Sequence, residues 1–464
     1  MLAEAVVFPS LMTAPHRAAF GKWSPHRVNR AGQVGSSPAP LTSTRRARLH
    51  TYPSVLSHLR PAEISSVPPG GYAARMKLRP WVLATALVVA LVGGPAAANG
   101  ASPAPAAPAP ATCDLPRGTA EGRPFPGTAI RPVGTVKAVM LFVDFPDATT
   151  TDDFTSYTSQ LLPAKGWFAT SSYGRLDLRI TVKRQWFRMP RNSTAYHWAR
   201  GLTFDQQKRY LTDAIMAADH AVDFSRYQIV YVVPAANAAA IFFSPAFVGG
   251  QTYGVKVDGT TIGFGATFGQ DMWYFGSQVL NHETGHIFGL PDLYDFNSAG
   301  FTTDHRFVGY WDLMGWILGD APDYFAWHKW HMGWIDSSDV VCLKARGDRT
   351  VDLSPVEGAT GTRLAIIRIS STLVYGVEVR AAQGNDGAVC VPGVLVYRIR
   401  GDVDTGHGPV QVRTSHHDHP GSIDACGPKE NATLQVGQSW SDPNVKVTVN
   451  GISSDTTEVT LEHK

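Results

Sequence analysis

The sequence predicts an α+β protein: a mixed domain over about residues 136–337, followed by a smaller all-β, sandwich-like domain over about 338–464. Three observations carry that expectation. Short β-branched runs alternate with a helical stripe up to about residue 340, and the pattern beyond is almost wholly β. The chain has 464 residues, 44% of them hydrophobic and only 17% charged, so it can bury a sizeable core. No repeat of fixed period is visible.

Residues 1–75 read as a disordered or non-native extension, with Pro, Ser and Arg scattered through them and no sustained apolar period. At Met76 the character changes. Met76-Lys77-Leu78-Arg79 is a positive n-region, Trp81–Val92 an apolar run and Ala96-Ala97-Ala98 a small-residue cleavage site. This predicts a signal peptide over 76–98 and a secreted protein; the run is short for a membrane span, with an anchor helix as the rival reading. Residues 99–135 read as a Pro/Ala-rich spacer and N-terminal segment. Charge is unevenly placed: residues 1–98 carry nine net positive charges, and without them the net charge of +3 becomes −6. A protein driven onto nucleic acid by phosphate contacts is thereby disfavoured.

Four cysteines remain after such cleavage, an even number that favours two disulfides in an oxidising compartment. The preferred pairing is Cys390–Cys426 with Cys113–Cys342. A rival use of Cys113 is as a thiolate that reaches a metal and keeps an enzyme latent.

Along the body, Ala138–Val143 reads as a buried strand stopped by Asp144-Phe145-Pro146-Asp147, and Leu176–Val182 as a second strand. Thr203–Val222 carries Leu211, Ala214, Ile215 and Ala218 at helical spacing. Gln228–Val233 is a third strand, and Gly254–Phe268, with Asp258-Gly259 between apolar residues, reads as a hairpin. Its part over Ile262–Thr267 is read as an exposed edge able to pair with an extended substrate, or as an edge covered by a loop. The β region holds Leu364–Ile369, Thr372–Arg380, Gly393–Arg400, Val445–Val449 and Glu458–Glu462.

The chemistry lies in His282-Glu283-Thr284-Gly285-His286, followed by Gly289, Pro291 and Asp292. If Trp273–Phe288 is one helix, His282 and His286 stand one turn apart on one face, a spacing at which two imidazoles hold one zinc ion. Glu283 is angled toward a water rather than the metal. Gly289 can end the helix in a left-handed conformation, and Pro291 stops it resuming, so Asp292 can turn back as a third ligand. Three protein ligands leave a position open for water, as catalytic zinc requires. Asp295, three residues on, is the alternative carboxylate. Two solvated histidines on a surface helix are the blander reading of the pentad.

His282 through Asp292, with Asp where a third His is more usual, resembles the metzincin clan of metallopeptidases. Within that clan, Gly289-Leu290-Pro291-Asp292-Leu293-Tyr294-Asp295 is similar to the immune inhibitor A-type family. Ser172-Tyr173-Gly174, Asp312-Leu313-Met314, Trp327-His328-Lys329 and Tyr375-Gly376-Val377-Glu378-Val379-Arg380 agree with it, and the resemblance spans about 136–400. It implies a metzincin-like catalytic domain and zinc-dependent hydrolysis of protein or peptide substrates. His282, His286 and Asp292 would be ligands, Glu283 the general base and later acid, and Met314 a structural Met-turn beneath the zinc. A monomer without nucleic-acid or membrane partners after signal cleavage is expected.

Weaker candidates are His416-His417-Asp418-His419 as a second metal site or a polar loop, and Asp144 with Asp147 as calcium ligands or a strand-end turn. Gly263-x-Gly265 lacks the strand-turn-helix setting of a phosphate loop. The rival functions are a secreted binding module with a structural or vestigial zinc, and a zinc hydrolase acting on non-peptide esters or amides.

Overall fold

The computed structural model describes residues 113–116, 120–122, 129–298, 305–319, 323–414, 429 and 431–464. The stretch expected to be a signal peptide, the Pro/Ala-rich stretch up to residue 112, the His416–His419 cluster and Cys426 lie outside the described residues. The described part belongs to one compact unit of mixed α/β structure with several sheets and few helices.

The first region runs β1 (Gly134–Asp144), α1 (Thr155–Leu161), α2 (Ala164–Ser171), β2 (Leu176–Arg188), α3 (Phe204–Ala218), β3 (Ile229–Pro234) and β4 (Ala246–Val248). It continues through α4 (Gly250–Tyr253), β5 (Val255–Val257), β6 (Thr260–Ile262), β7 (Phe264–Thr267), α5 (Met272–Phe275), α6 (Ser277–Ile287) and α7 (Ala326–His331). Then come β8 (Val340–Leu343), β9 (Gly347–Leu353), β10 (Leu364–Arg368), β11 (Leu373–Arg380), β12 (Gly393–Arg400), β13 (Val410–Arg413), β14 (Ser439–Ser441), β15 (Val445–Ser453) and β16 (Thr456–His463).

The first sheet has the order β2-β1-β3-β7-β4, parallel except for β4. Its central strand explains the unbroken apolar run in the sequence. Ala138, Met140 and Phe142 enter the core shared with α1, α2 and α6, while Val139, Leu141 and Val143 enter the core under α3. Helix α3 starts at a capping box, Thr203 with Gln206, and buries Tyr210, Leu211, Ala214, Ile215 and Ala218. The Asp258-Gly259 turn joins β5 to β6, with φ of 46° and 69° at its two residues, as a tight hairpin demands.

Two expectations are corrected. Trp273–Phe288 is not one helix: Gly276, at φ 59° and ψ −140°, separates α5 from α6 in a conformation that only glycine adopts without strain. Ile262–Thr267 is not one edge strand either: Ile262 closes β6 of the β5–β6 hairpin, and Phe264–Thr267 forms β7. β7 is bonded to β3 on one side and β4 on the other, so the free edge belongs to β4, a strand too short to show in the sequence.

The β-rich region forms two further sheets, β13-β12-β11-β10-β8 and β14-β15-β16-β9. Ala365, Ile367, Val377 and Val396 of one meet Leu353, Val445, Val447, Val459 and Leu461 of the other, making a sandwich. The opposite face of the first of these sheets, through Leu364, Ile366, Leu395, Tyr397 and Ile399, shares the core of α6 and β1. Hydrophobic packing is therefore continuous across residue 337. A disulfide joins Cys113 to Cys342, and Cys390 is also disulfide-bonded. Its expected partner, Cys426, lies outside the described residues.

That junction also buries charge. Arg380 faces Glu378 at 3.5 Å and Asp386 at 3.2 Å, and Lys329 meets Asp323 at 2.8 Å. His328 lies between Glu121 at 3.2 Å and Asp312 at 3.3 Å, all three fully buried. Burial opposes the charged imidazole, but the two carboxylates outweigh it and push its pKa up to about 10. An unfolded histidine titrates near 6.5, so this stabilisation is complete below that pH and lost as pH rises through 10. Urea unfolding of the native chain and His328→Gln should differ by about 3–5 kcal/mol at mildly acidic pH, the cost of breaking a buried ion pair. The gap should shrink as the medium turns alkaline; a pH-independent gap would show that His328 is neutral in the fold.

Candidate metal centre

Helix α6 delivers two imidazoles, and the way it ends delivers the carboxylate. His282 and His286 stand one turn apart with ring centroids 4.8 Å apart. The helix closes with Leu290 N–H donating to Gly285 O at 3.0 Å and Gly289 N–H to His286 O at 2.9 Å, with Gly289 at φ 99°. This is the Schellman pairing that a left-handed glycine permits. The chain then reverses at Pro291, and Asp292 Oδ1 lies 3.2 Å from the Nε2 atoms of both histidines.

The three donor atoms lie within 4.8 Å of one another. Ligands of a tetrahedral zinc, at about 2.0–2.1 Å from the ion, stand about 3.3 Å apart, so this donor set fits one ion. The far side of each ring fixes its tautomer. His282 Nδ1 is 3.1 Å from Leu313 O and His286 Nδ1 is 2.8 Å from Leu290 O. Carbonyls only accept, so both Nδ1 atoms carry hydrogen, which leaves both Nε2 atoms as the ones that can hold a metal.

The electrostatics are those of a buried cluster. Burial raises the Glu283 carboxyl against the pull of His282 and His286, leaving it at about 7. Burial disfavours charge on His286, yet the Asp292 carboxylate beside it prevails and pushes it up to about 9. Burial would raise Asp292, but the two imidazoles hold it well below the usual carboxylate range. A divalent cation would take the place of the proton that His286 otherwise holds beside Asp292.

Met314 forms the floor. It is fully buried, its N–H donates to Asp312 Oδ1 at 2.8 Å, and its carbonyl accepts from Leu293 N–H at 3.0 Å. A Cβ on Gly285 would sit 2.7 Å from Met314 Sδ and 2.9 Å from the Tyr324 hydroxyl oxygen. Glycine between the two histidines is thus a packing requirement. Tyr324 in turn donates to Asn281 O at 2.9 Å, and Tyr231 shares a hydrogen bond of 2.8 Å with Thr284.

Asp295, the alternative ligand, faces elsewhere: its Oδ2 pairs with Arg306 Nε at 2.8 Å and its Oδ1 accepts from Asn297 N–H. Asp144 engages Arg188 with both oxygens, and Asp147 accepts from Ser193 N–H and Oγ, so these carboxylates hold protein groups. The Cys113 sulfur is bonded to Cys342, which removes the thiolate-latch reading. Gly263 and Gly265 are packing glycines, with Gly250 O and Val230 O where their Cβ atoms would be.

Three participants escaped the sequence reading. Thr405 Oγ1 accepts from Asp292 N–H at 2.9 Å and Gly406 N–H donates to Asp292 O at 3.0 Å, so a loop more than a hundred residues away orients the carboxylate of the group. Tyr294 is half-buried, its ring centroid 6.4 Å from that of His282, and burial together with Asp292 keeps its hydroxyl protonated. Only the position of Tyr294, two residues past Asp292, could have suggested it.

Gly285→Ala should destabilise the fold by about 1–3 kcal/mol through overpacking, although alanine is worth about 1 kcal/mol more than glycine inside a helix. Thermal unfolding checks this; a variant more stable than the native chain would mean that Met314 does not press on α6. No family model matches the chain, and no curated protein matches it.

Proposed function

We propose that the chain is a secreted zinc endopeptidase of the immune inhibitor A type, with a metzincin-like catalytic fold over about 136–337. The observation that carries this is the convergence of His282 Nε2, His286 Nε2 and Asp292 Oδ1 beside the buried carboxyl of Glu283. Zinc bound by those three donors would polarise a scissile carbonyl and make a water strongly nucleophilic near neutral pH.

The protein's own groups then have definite tasks. The Glu283 carboxylate accepts a proton from the attacking water and returns it to the leaving amine, from a buried position beside the two imidazoles. Leu313 O and Leu290 O hold the two imidazoles in the ligating tautomer. The edge for an extended peptide is β4, which packs near α6. Phe247 is paired with Gly265, so Ala246 and Val248 turn their backbone groups outward. Ala246 O is taken by Gln207 Nε2 at 2.7 Å, and Val248 offers the next backbone pair to a substrate strand. Export is supported by the disulfide at Cys113–Cys342 and the bonded state of Cys390, which belong to an oxidising compartment.

Glu283→Gln should lower hydrolysis of a denatured protein substrate by about 10²–10⁴-fold while zinc content and melting temperature stay native. A chelator should silence the native chain and added zinc restore it. A Gln variant with undiminished turnover would remove Glu283 from the mechanism. Cleavage of a small ester without cleavage of peptides would assign the site to another hydrolase class.

A further inference from the structure

The floor of the metal group is held from an unexpected direction. Asp312 Oδ1 accepts from Met314 N–H, and its Oδ2 accepts from Phe325 N–H at 2.7 Å and faces His328 Nδ1 at 3.3 Å. On its far side His328 Nε2 meets Glu121 Oε2 at 3.2 Å, and the same carboxylate accepts from Trp327 Nε1 at 2.9 Å. Glu121 precedes β1, in the stretch that the sequence marks only as a spacer and N-terminal segment. That stretch is anchored at Cys113 by the bond to Cys342.

A carboxylate on each ring nitrogen leaves His328 one arrangement, with both N–H groups donating. If Glu121 is neutralised, the Nε2–H loses its charged acceptor, and His328 keeps only the Nδ1–H donated to Asp312 Oδ2. The ring is then held from one side only, and its 3.3 Å contact with Asp312 is no longer fixed in direction. The Asp312 turn would shift, and it carries both Leu313 O, the partner of His282 Nδ1, and the Met314 sulfur beneath Gly285. The logic is that of an acid that orients a histidine through its second nitrogen.

We propose that Glu121 is a positioning residue for the metal centre, acting through His328 and Asp312 on the Leu313–Met314 turn. The stretch ahead of β1 is therefore a working part of the mature protein, and its release inactivates the site. This rests on the reading of His282, His286 and Asp292 as a metal group.

Cobalt(II) is the probe, because its visible spectrum reports the geometry of its ligands apart from any activity. In the full chain, Glu121→Gln should bind cobalt roughly tenfold more weakly, the low end of what hydrogen-bond partners of metal ligands contribute. Its spectrum should change, and kcat should fall with KM little altered. A second arm does not depend on how that variant folds. A protease site placed between residues 123 and 128 lets the chain be nicked, leaving the piece with Glu121 attached through Cys113–Cys342. The nicked chain should keep its cobalt spectrum while oxidised and lose it once reduction releases the piece, whereas the unnicked chain, reduced alongside, keeps it. Native cobalt affinity and spectrum in Glu121→Gln, even with a lowered melting temperature, would overturn the proposal. So would a nicked, reduced chain that retains its spectrum after the piece has left. A native chain that binds no cobalt overturns the metal reading as well, while one that binds cobalt but cuts no peptide overturns only the peptidase reading.

Discussion

The site depends on how one helix ends. Two histidines at i and i+4 are common on helices; a carboxylate placed 3.2 Å from both Nε2 atoms is not. It arises because Gly289 takes the left-handed conformation, closes α6 through the Gly285 and His286 carbonyls, and lets Pro291 send the chain back across the ring faces. The same closure leaves Leu290 O against His286 Nδ1, so one turn both terminates the helix and sets a tautomer. Any other residue at 289 would strain that turn and separate the third donor from the first two.

Around that turn the β-rich region supplies rigidity. Thr405 and Gly406 grip the Asp292 backbone, and Arg380 on β11 donates to the carbonyls of Trp311, Asp323 and Tyr324 on the stretch that carries Met314. Glu378 accepts from Ala326 N–H and the Tyr397 hydroxyl at 2.7 Å each. Such buried ions contribute little net stability compared with apolar packing, because desolvation offsets most of the attraction. Their use is to fix one arrangement of the loop where apolar side chains would permit several. By this account the candidate site draws on both regions.

The legible features are those whose causes are local. The buried run at Ala138–Val143, the stripe of α3, the Asp258-Gly259 turn and the sequence from His282 to Asp292 each declare their geometry within about ten residues. The short α1, α2 and β4 lacked enough residues to show a period, and Gly276 read as a tolerated glycine in a helical pattern rather than as a break. The support of the site was illegible for a different reason. Glu121 meets His328 across 207 positions and Asp292 meets Thr405 across 113, and neither partner carries a pattern that names the other. A single sequence reveals what must be near in the chain and is silent about which distant polar groups share a buried space.

The position of Glu283 bears on whether the group works or merely holds a metal. Its carboxyl is 6% exposed, next to a second buried carboxylate at Asp292, and burial is the largest influence on it. Burying an ionisable group costs free energy unless it is paired, and glutamine would fill the same volume without that cost. A purely structural zinc site needs its three donors and a fourth ligand; it gains nothing from an acid beside them. Strain of this kind persists where chemistry uses it. On the proposed reading that use is a proton carried from water to the leaving amine, which a glutamine could not perform.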